Sequence, residues 1–269
     1  MDRAPKLRLA EALTLGLLHG PAELVPVSSS GHMTVVPELL GWDYNRTDPD
    51  LRKAFEVALH AGTYAALLIA LRSEIISELR QSNPVRAAVV AAAFIPTGAV
   101  GYLLEGPIER RLGHPASVAV GMIVGGGVLA WADTRPCDRD FDDAGLADGL
   151  RLGAGQTAAL IPGISRNGAT LTAARLAGFN RRDANRLSWH VAAPVIGAAT
   201  GLKLLRLSRR GLPAGALAPF AVGAGASFVS TLATVKIVRA ARPDRSFVPF
   251  GLYRVALGGA VLAKLRRQR

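Results

Sequence analysis

Two short polar strings stand inside otherwise charge-free apolar sequence: Glu23-Leu-Val-Pro-Val-Ser-Ser-Ser-Gly-His32 and Pro162-Gly-Ile-Ser-Arg-Asn-Gly-Ala-Thr170. Polar and ionisable groups in such surroundings are costly unless they act on a polar substrate. Together the two strings supply a carboxylate, hydroxyls, an imidazole and a guanidinium, the parts needed to handle phosphate. Arg166 is the only charged residue between Arg151 and Arg175, and a guanidinium fork matches phosphate oxygens, which makes it the expected phosphate clamp. Glu23 stays ionised in such a segment only if a cation or Arg166 faces it, and Mg2+ or Ca2+ held between this carboxylate and substrate oxygens suits that need. His32 could take a proton, donate one to a leaving phosphate, or attack phosphorus itself. Ser28, Ser29 and Ser30 in the first string, with Ser165, Asn167 and Thr170 in the second, are the candidate substrate-binding hydroxyls and amide. Serines in a broken helix also cap freed backbone amides, so each has a structural alternative.

These groups must be positioned by elements that read as membrane-spanning. The chain has 269 residues, half of them apolar, with 32 Lys and Arg, and its mean hydropathy is still +0.27. The charge is segregated: charge-free runs cover 57–71, 87–104, 112–132, 187–202 and 211–235, and 246–263 is broken only by Arg254. A helix needs about 20 residues to cross the hydrocarbon, so six transmembrane helices are expected, roughly at 54–72, 86–104, 113–132, 187–205, 214–236 and 246–264. A soluble protein of this size has room for one or two helices apolar all round, not six.

Net charge is +12, with clusters at Arg206/Arg209/Arg210, Lys236/Arg239/Arg242/Arg245 and Lys264/Arg266/Arg267/Arg269. At the ends of apolar spans these read as anchors facing anionic lipid head groups, so the bilayer and not a nucleic acid is the expected partner. Both faces collect many Lys and Arg, so charge does not fix orientation. Arg3, Lys6 and Arg8 resemble the start of a signal peptide, but Glu11 interrupts the apolar stretch and no small-x-small pattern follows, so no cleavage is expected. Cys137 is the only cysteine, which excludes an internal disulfide and a cysteine-based zinc site.

A shift of 137 residues places Leu13 on Leu150, Gly16 on Gly153, Ala22 on Ala159, Ser28 on Ser165 and Gly31 on Gly168. Each copy is followed by three expected spans, and an odd number inverts the second copy relative to the first. The expected organisation is therefore one membrane domain, 1–269, built of inverted-topology repeats at about 9–132 and about 149–264. Around each polar string the apolar flanks, 9–22 with 33–40 and 149–160 with 171–179, are too short to cross, and Pro26, Gly31, Pro162, Gly163 and Gly168 interrupt them. Two re-entrant helix–loop–helix hairpins follow, since irregular backbone at that depth survives only against protein or a wet cavity. Helix N-termini at their tips would bind an anion.

The strings Glu-x-x-Pro-Val-Ser-Ser-x-Gly-His, here Glu23 to His32, and Pro-Gly-x-Ser-Arg-x-Gly-Ala-Thr, here Pro162 to Thr170, resemble the two signature motifs of the undecaprenyl-diphosphatases of the bacitracin-resistance type. Phe55-Glu56-Val57, Ser246 to Phe250 and Tyr253-Arg254 are similar to further family segments. The resemblance implies an integral membrane phosphatase that releases the terminal phosphate of a polyprenyl diphosphate lipid. The product is the carrier for peptidoglycan and other envelope glycans. It implies a bacterial plasma-membrane location, an active site facing the outer side, and a divalent cation. Alignment with the motif favours Ser29 as the hydroxyl at phosphorus, as nucleophile or as oxygen ligand.

The chain departs from the family pattern at His19, where a Glu usually precedes Glu23 by four residues; the spacing still allows His19 and Glu23 to share a metal. An imidazole suits zinc or manganese better than calcium. Asn167, usually Ser, and His60, often Gln, are milder departures. They leave a second class open, a protein of the same fold that binds or transports lipid phosphates without cleaving them. Whether the nucleophile is Ser29, His32 or water, and whether the chain forms a homodimer, are open at this level.

Overall fold

A computed structural model describes residues 7–81, 83–211, 215–240 and 244–268. Arg3, Lys6, Arg242, Arg269 and the start of the expected span at 214 lie outside the described residues. All elements are helical: α1 (Leu9–Leu24), α2 (Ser29–Leu40), α3 (Pro49–Ala70), α4 (Arg72–Arg80), α5 (Pro84–Leu112), α6 (Pro115–Asp133), α7 (Leu146–Ala158), α8 (Arg166–Leu176), α9 (Arg181–Arg210), α10 (Leu217–Ala240) and α11 (Val248–Arg267). Two short 3-10 turns complete the set.

Several helices start where local chemistry starts them. Proline occupies the first turn of α3, α5 and α6, where its missing N–H costs nothing, and Asp48, Asn83 and His114 cap the free amides just before it. Five helices, α5, α6, α9, α10 and α11, are long and apolar enough to cross a membrane. A sixth candidate is α3 with α4, which are long and apolar enough together but bend by 68° at the break. The expected span at 54–72 therefore ends at the bend, where Arg72, Ser73 and Glu74 replace the apolar run. Helix α5 runs eight residues past its expected end, because Glu105 and Glu109 find cations on neighbouring helices: Glu105 pairs with Lys203 at 2.8 Å, and Glu109 with Lys53. Apolar side chains including Ile95, Leu103, Val124, Trp131, Val229 and Leu252 face outward, as the lipid-facing belt of a multi-pass membrane protein does.

The four helices around the polar strings, α1, α2, α7 and α8, hold 16, 12, 13 and 11 residues, each shorter than a span. They form two helix–turn–helix hairpins. Helix α1 packs on α10 as α7 packs on α5; α3 packs on α10 as α9 packs on α5; α2 packs on α11 as α8 packs on α6. Small residues make the close approaches: a side chain on Gly16 would strike the carbonyl of Gly223 and the Ala226 methyl, and one on Gly153 would strike the backbone of Ala92 and Ala93. Between membrane helices, where lipid is as apolar as leucine, such backbone contact is the main source of association.

Asp133 ties the far end together. Its carboxylate accepts from Arg181 Nε at 2.8 Å and from Ser246 Oγ and the Phe247 amide, each at 2.7 Å, joining α6, α9 and α11. Gly16→Ala and Gly153→Ala are each expected to lower stability by about 1–3 kcal/mol through overpacking. A thermal melt in detergent checks this. Gly259→Ala, with open space around its Cα, should melt at or above the parent temperature.

Candidate active site

The tips of the two hairpins meet. Their turns share a construction: Ser28 Oγ accepts the Gly31 amide at 3.2 Å, and Ser165 Oγ accepts the Gly168 amide at 3.1 Å, so each serine caps the helix that follows it. These are residues that the 137-residue shift superimposes. Ser28 holds φ +75°, the left-handed region that a non-glycine residue rarely enters, and Gly163 in the other turn holds φ +91°. Strain at Ser28 costs on the order of 1–3 kcal/mol and persists because the surrounding contacts fix the turn.

The junction is made by Glu23. Its Oε1 accepts from Arg166 Nη2 at 2.9 Å, and its Oε2 accepts from Ser29 Oγ at 2.5 Å. One carboxylate of the first hairpin therefore positions both its own serine and the guanidinium of the second. A further bridge lies alongside: Asn167 Nδ2 donates to the Leu24 carbonyl at 2.9 Å, and Ser188 Oγ donates to Asn167 Oδ1 at 2.9 Å.

A cavity of about 210 Å³ opens over this junction. Its polar lining comprises Glu23, Ser28, Ser29, Ser30, Ser165, Arg166 and Asn167, with His60 from α3 and Thr200 and Lys203 from α9; Val57, Val195 and Ile196 add apolar wall. The cavity faces the N-termini of α2 and α8, whose free amides and aligned peptide dipoles favour an anion.

Of the residues singled out in the sequence, Glu23, Ser29 and Arg166 are in direct contact, and Ser28, Ser30, Ser165 and Asn167 stand on the same cavity wall. His19 lies one helical turn before Glu23, completely buried, its ring against that of His60 with centroids 4.5 Å apart. Two residues stand elsewhere. Thr170 is completely buried and does not line the cavity; its hydroxyl contacts the Arg166 and Asn167 carbonyls at 3.0 Å and the Ser188 hydroxyl at 2.5 Å. His32 also lies off the cavity wall: its Nδ1 donates to the Ser28 carbonyl at 2.7 Å, which leaves Nε2 to accept from the Tyr253 hydroxyl at 2.8 Å. The imidazole thus braces the first tip against α11.

His60 and Lys203 are site residues that the sequence reading did not place there. Lys203 sits just inside the basic end of α9, close to the arginines that read as interfacial anchors. His60 gave the better signal, as an imidazole alone in a charge-free run. Behind the second tip, completely buried Arg254 donates from Nη2 to the Gly163 carbonyl at 3.1 Å.

Residues 12–260 match the family of the bacitracin resistance protein BacA. The chain belongs to this family. It is 38% identical to an undecaprenyl-diphosphatase of Geobacter sulfurreducens over 96% of this chain and 98% of the relative. It is 35% identical to one from Pelobacter propionicus, over 96% and 97%, and 32% identical to one from Neisseria meningitidis serogroup C, over 95% of each. The similarity to these family members therefore spans both hairpins and nearly every span.

Asn167→Ala would strip the Leu24 carbonyl of its side-chain donor and leave the Ser188 hydroxyl with Thr170 alone. A loss of about 1–3 kcal/mol is expected, measured as a fall in the thermal midpoint in detergent.

Proposed function

We propose that this protein is a membrane phosphatase that hydrolyses undecaprenyl diphosphate to undecaprenyl phosphate and inorganic phosphate, recycling the lipid carrier for peptidoglycan and envelope glycans. The observation that carries this reading is the single carboxylate of Glu23, hydrogen-bonded at once to the Ser29 hydroxyl and the Arg166 guanidinium at the floor of a cavity. The names of the relatives from Geobacter and Pelobacter agree with it.

Hydrolysis of a diphosphate monoester needs its negative charge neutralised while a nucleophile approaches in line. Arg166 keeps donors free beyond the one given to Glu23, and these with the α2 and α8 amides would hold the terminal phosphate. Lys203 adds a second cation to the cavity wall. The Ser29 proton already points to Glu23 Oε2, so transfer of that proton would leave the Ser29 oxygen to attack the terminal phosphorus. The bond to the bridging oxygen then breaks and undecaprenyl phosphate leaves. Glu23 would pass that proton to the leaving phosphate; water would then hydrolyse the serine ester, with Glu23 taking the water's proton and returning it to the Ser29 oxygen. His32 is proposed to keep the tip in place through its bonds to Ser28 and Tyr253.

The two halves are proposed to be inverted repeats, which is what the exchanged helix pairings support. The cavity is proposed to open toward the outer face of the bacterial plasma membrane, where the polar head of the lipid would enter and the prenyl chain remain among the outward apolar side chains.

The test is phosphate release from undecaprenyl diphosphate by purified protein in detergent. Glu23→Gln, Ser29→Ala and Arg166→Ala should each slow release by about 10²-fold or more, compared on protein that elutes as the parent does. Tyr253→Phe, which removes one hydrogen bond from His32, should cost about tenfold at most. Saturable lipid-phosphate binding without release in the parent protein would instead make it a carrier.

A further inference from the structure

Behind Glu23 the structure gathers a second chemical group. Among the described residues, one ring nitrogen of His19, one of His60 and a carboxylate oxygen of Glu23 lie within 4.8 Å of one another. Proton bookkeeping fixes which ring nitrogens carry a lone pair. The Ser227 hydroxyl has one proton, and it goes to the Leu59 carbonyl at 2.9 Å. The Thr63 hydroxyl, 2.6 Å from Ser227 Oγ, must then be the donor of that pair. Thr231 Oγ1 donates to Thr63 at 3.2 Å, and with its own proton committed Thr63 can only accept from His19 Nδ1, 2.9 Å away. His19 Nδ1 therefore carries the proton and Nε2 carries the lone pair. That Nε2 is buried and has no hydrogen-bond partner among the described residues.

His60 is held the same way. Its Nδ1 lies 2.8 Å from the Glu56 carbonyl, which can only accept, so its Nε2 also presents a lone pair, 3.9 Å from Glu23 Oε2. Each imidazole therefore keeps one bare ring nitrogen, and the two rings, 4.5 Å apart between centroids, stand beside the Glu23 carboxylate. An outward hydrogen bond that fixes the tautomer is how metal-binding histidines are oriented. Ligands about 2.1 Å from a tetrahedral ion stand about 3–4 Å apart; His60 Nε2 and Glu23 Oε2 are 3.9 Å apart, and the three ligand atoms lie within 4.8 Å of one another.

A hard cation such as Mg2+ or Ca2+ prefers several oxygens, and the cluster offers one carboxylate and two imidazoles, so the Mg2+ or Ca2+ that the sequence suggested does not fit this donor set. We propose that His19, His60 and Glu23 form a site for a zinc-type transition-metal dication, with His60 as a ligand and Thr63 as the residue that orients His19. Zn2+ and its neighbours accept this mixed set readily. The role of such an ion in phosphate chemistry rests on the phosphatase reading; the binding site itself does not.

The experiment uses full-length protein in detergent, treated with chelator, desalted, and titrated separately with Zn2+, Co2+, Mg2+ and Ca2+. One retained Zn2+ or Co2+ per chain by elemental analysis is expected, with visible Co2+ absorption of the kind nitrogen ligands produce. A hundredfold excess of Ca2+ or Mg2+ should not displace it. His60→Gln, at a partly exposed position, should weaken retention at least about tenfold, and Thr63→Val should weaken it by about 10–100-fold while leaving all three ligands present. Retention unchanged in His60→Gln, displacement by equimolar Ca2+, or no retained ion would overturn the site. Phosphate release assayed on the same preparations keeps the two readings apart: release without Zn2+ retention sinks the metal site alone, and retention without release sinks the phosphatase alone.

Discussion

A buried carboxylate paired with a half-buried guanidinium sets the terms for this molecule. Taking Glu23 and Arg166 out of water is expensive, and removing either partner of such a pair typically costs about 3–5 kcal/mol because a charge is left uncompensated. The two residues are 143 positions apart, so the pair forms only if both hairpins are built and their tips touch. Folding of each half is thereby made conditional on the other, and the surface generated at the junction has both charges close to a wall of hydroxyls and helix N-termini. The same contact that closes the structure creates the place where an anion would bind.

Everything behind the junction serves to bring short helices to that point without spanning the membrane. Small residues let α1 slide against α10 and α7 against α5 at backbone distance. Serine caps turn the chain at each tip, and a strained Ser28 is tolerated because its side chain, His32 and Tyr253 together hold it. At the opposite end Asp133 collects Arg181, Ser246 and the Phe247 amide, a polar tie outside the cavity that fixes the depth of α6 relative to α9 and α11.

The spans and the hairpins were legible in the sequence because they are written as one-dimensional signals: runs free of charge, interrupted by proline, glycine and a polar string. Glu23 and Arg166 could be picked out for the same reason, as ionisable groups with no local partner, whereas Ser29 was set apart from its two serine neighbours only by the resemblance to the family motif. What lay beyond the sequence depends on helices crossing. Lys203 reads as one more basic anchor until α9 is laid across the tips, and His60 reads as a lone imidazole until α3 places it against His19. Thr170 and Asn167 share a motif with Arg166, yet helical rotation turns Thr170 into the packed interior while Asn167 reaches across to Leu24. The 68° bend after α3 was equally hidden, since the apolar run gives no sign of direction.

The central claim is that Glu23 and Arg166 act as one unit across the two hairpins. A double-mutant cycle on kcat/KM for phosphate release from undecaprenyl diphosphate, using Glu23→Gln, Arg166→Gln and the pair, measures that coupling directly. The account predicts strong non-additivity, with the double variant scarcely slower than the worse single one. Losses that multiply would show two independent residues, and the shared junction would have to be given up.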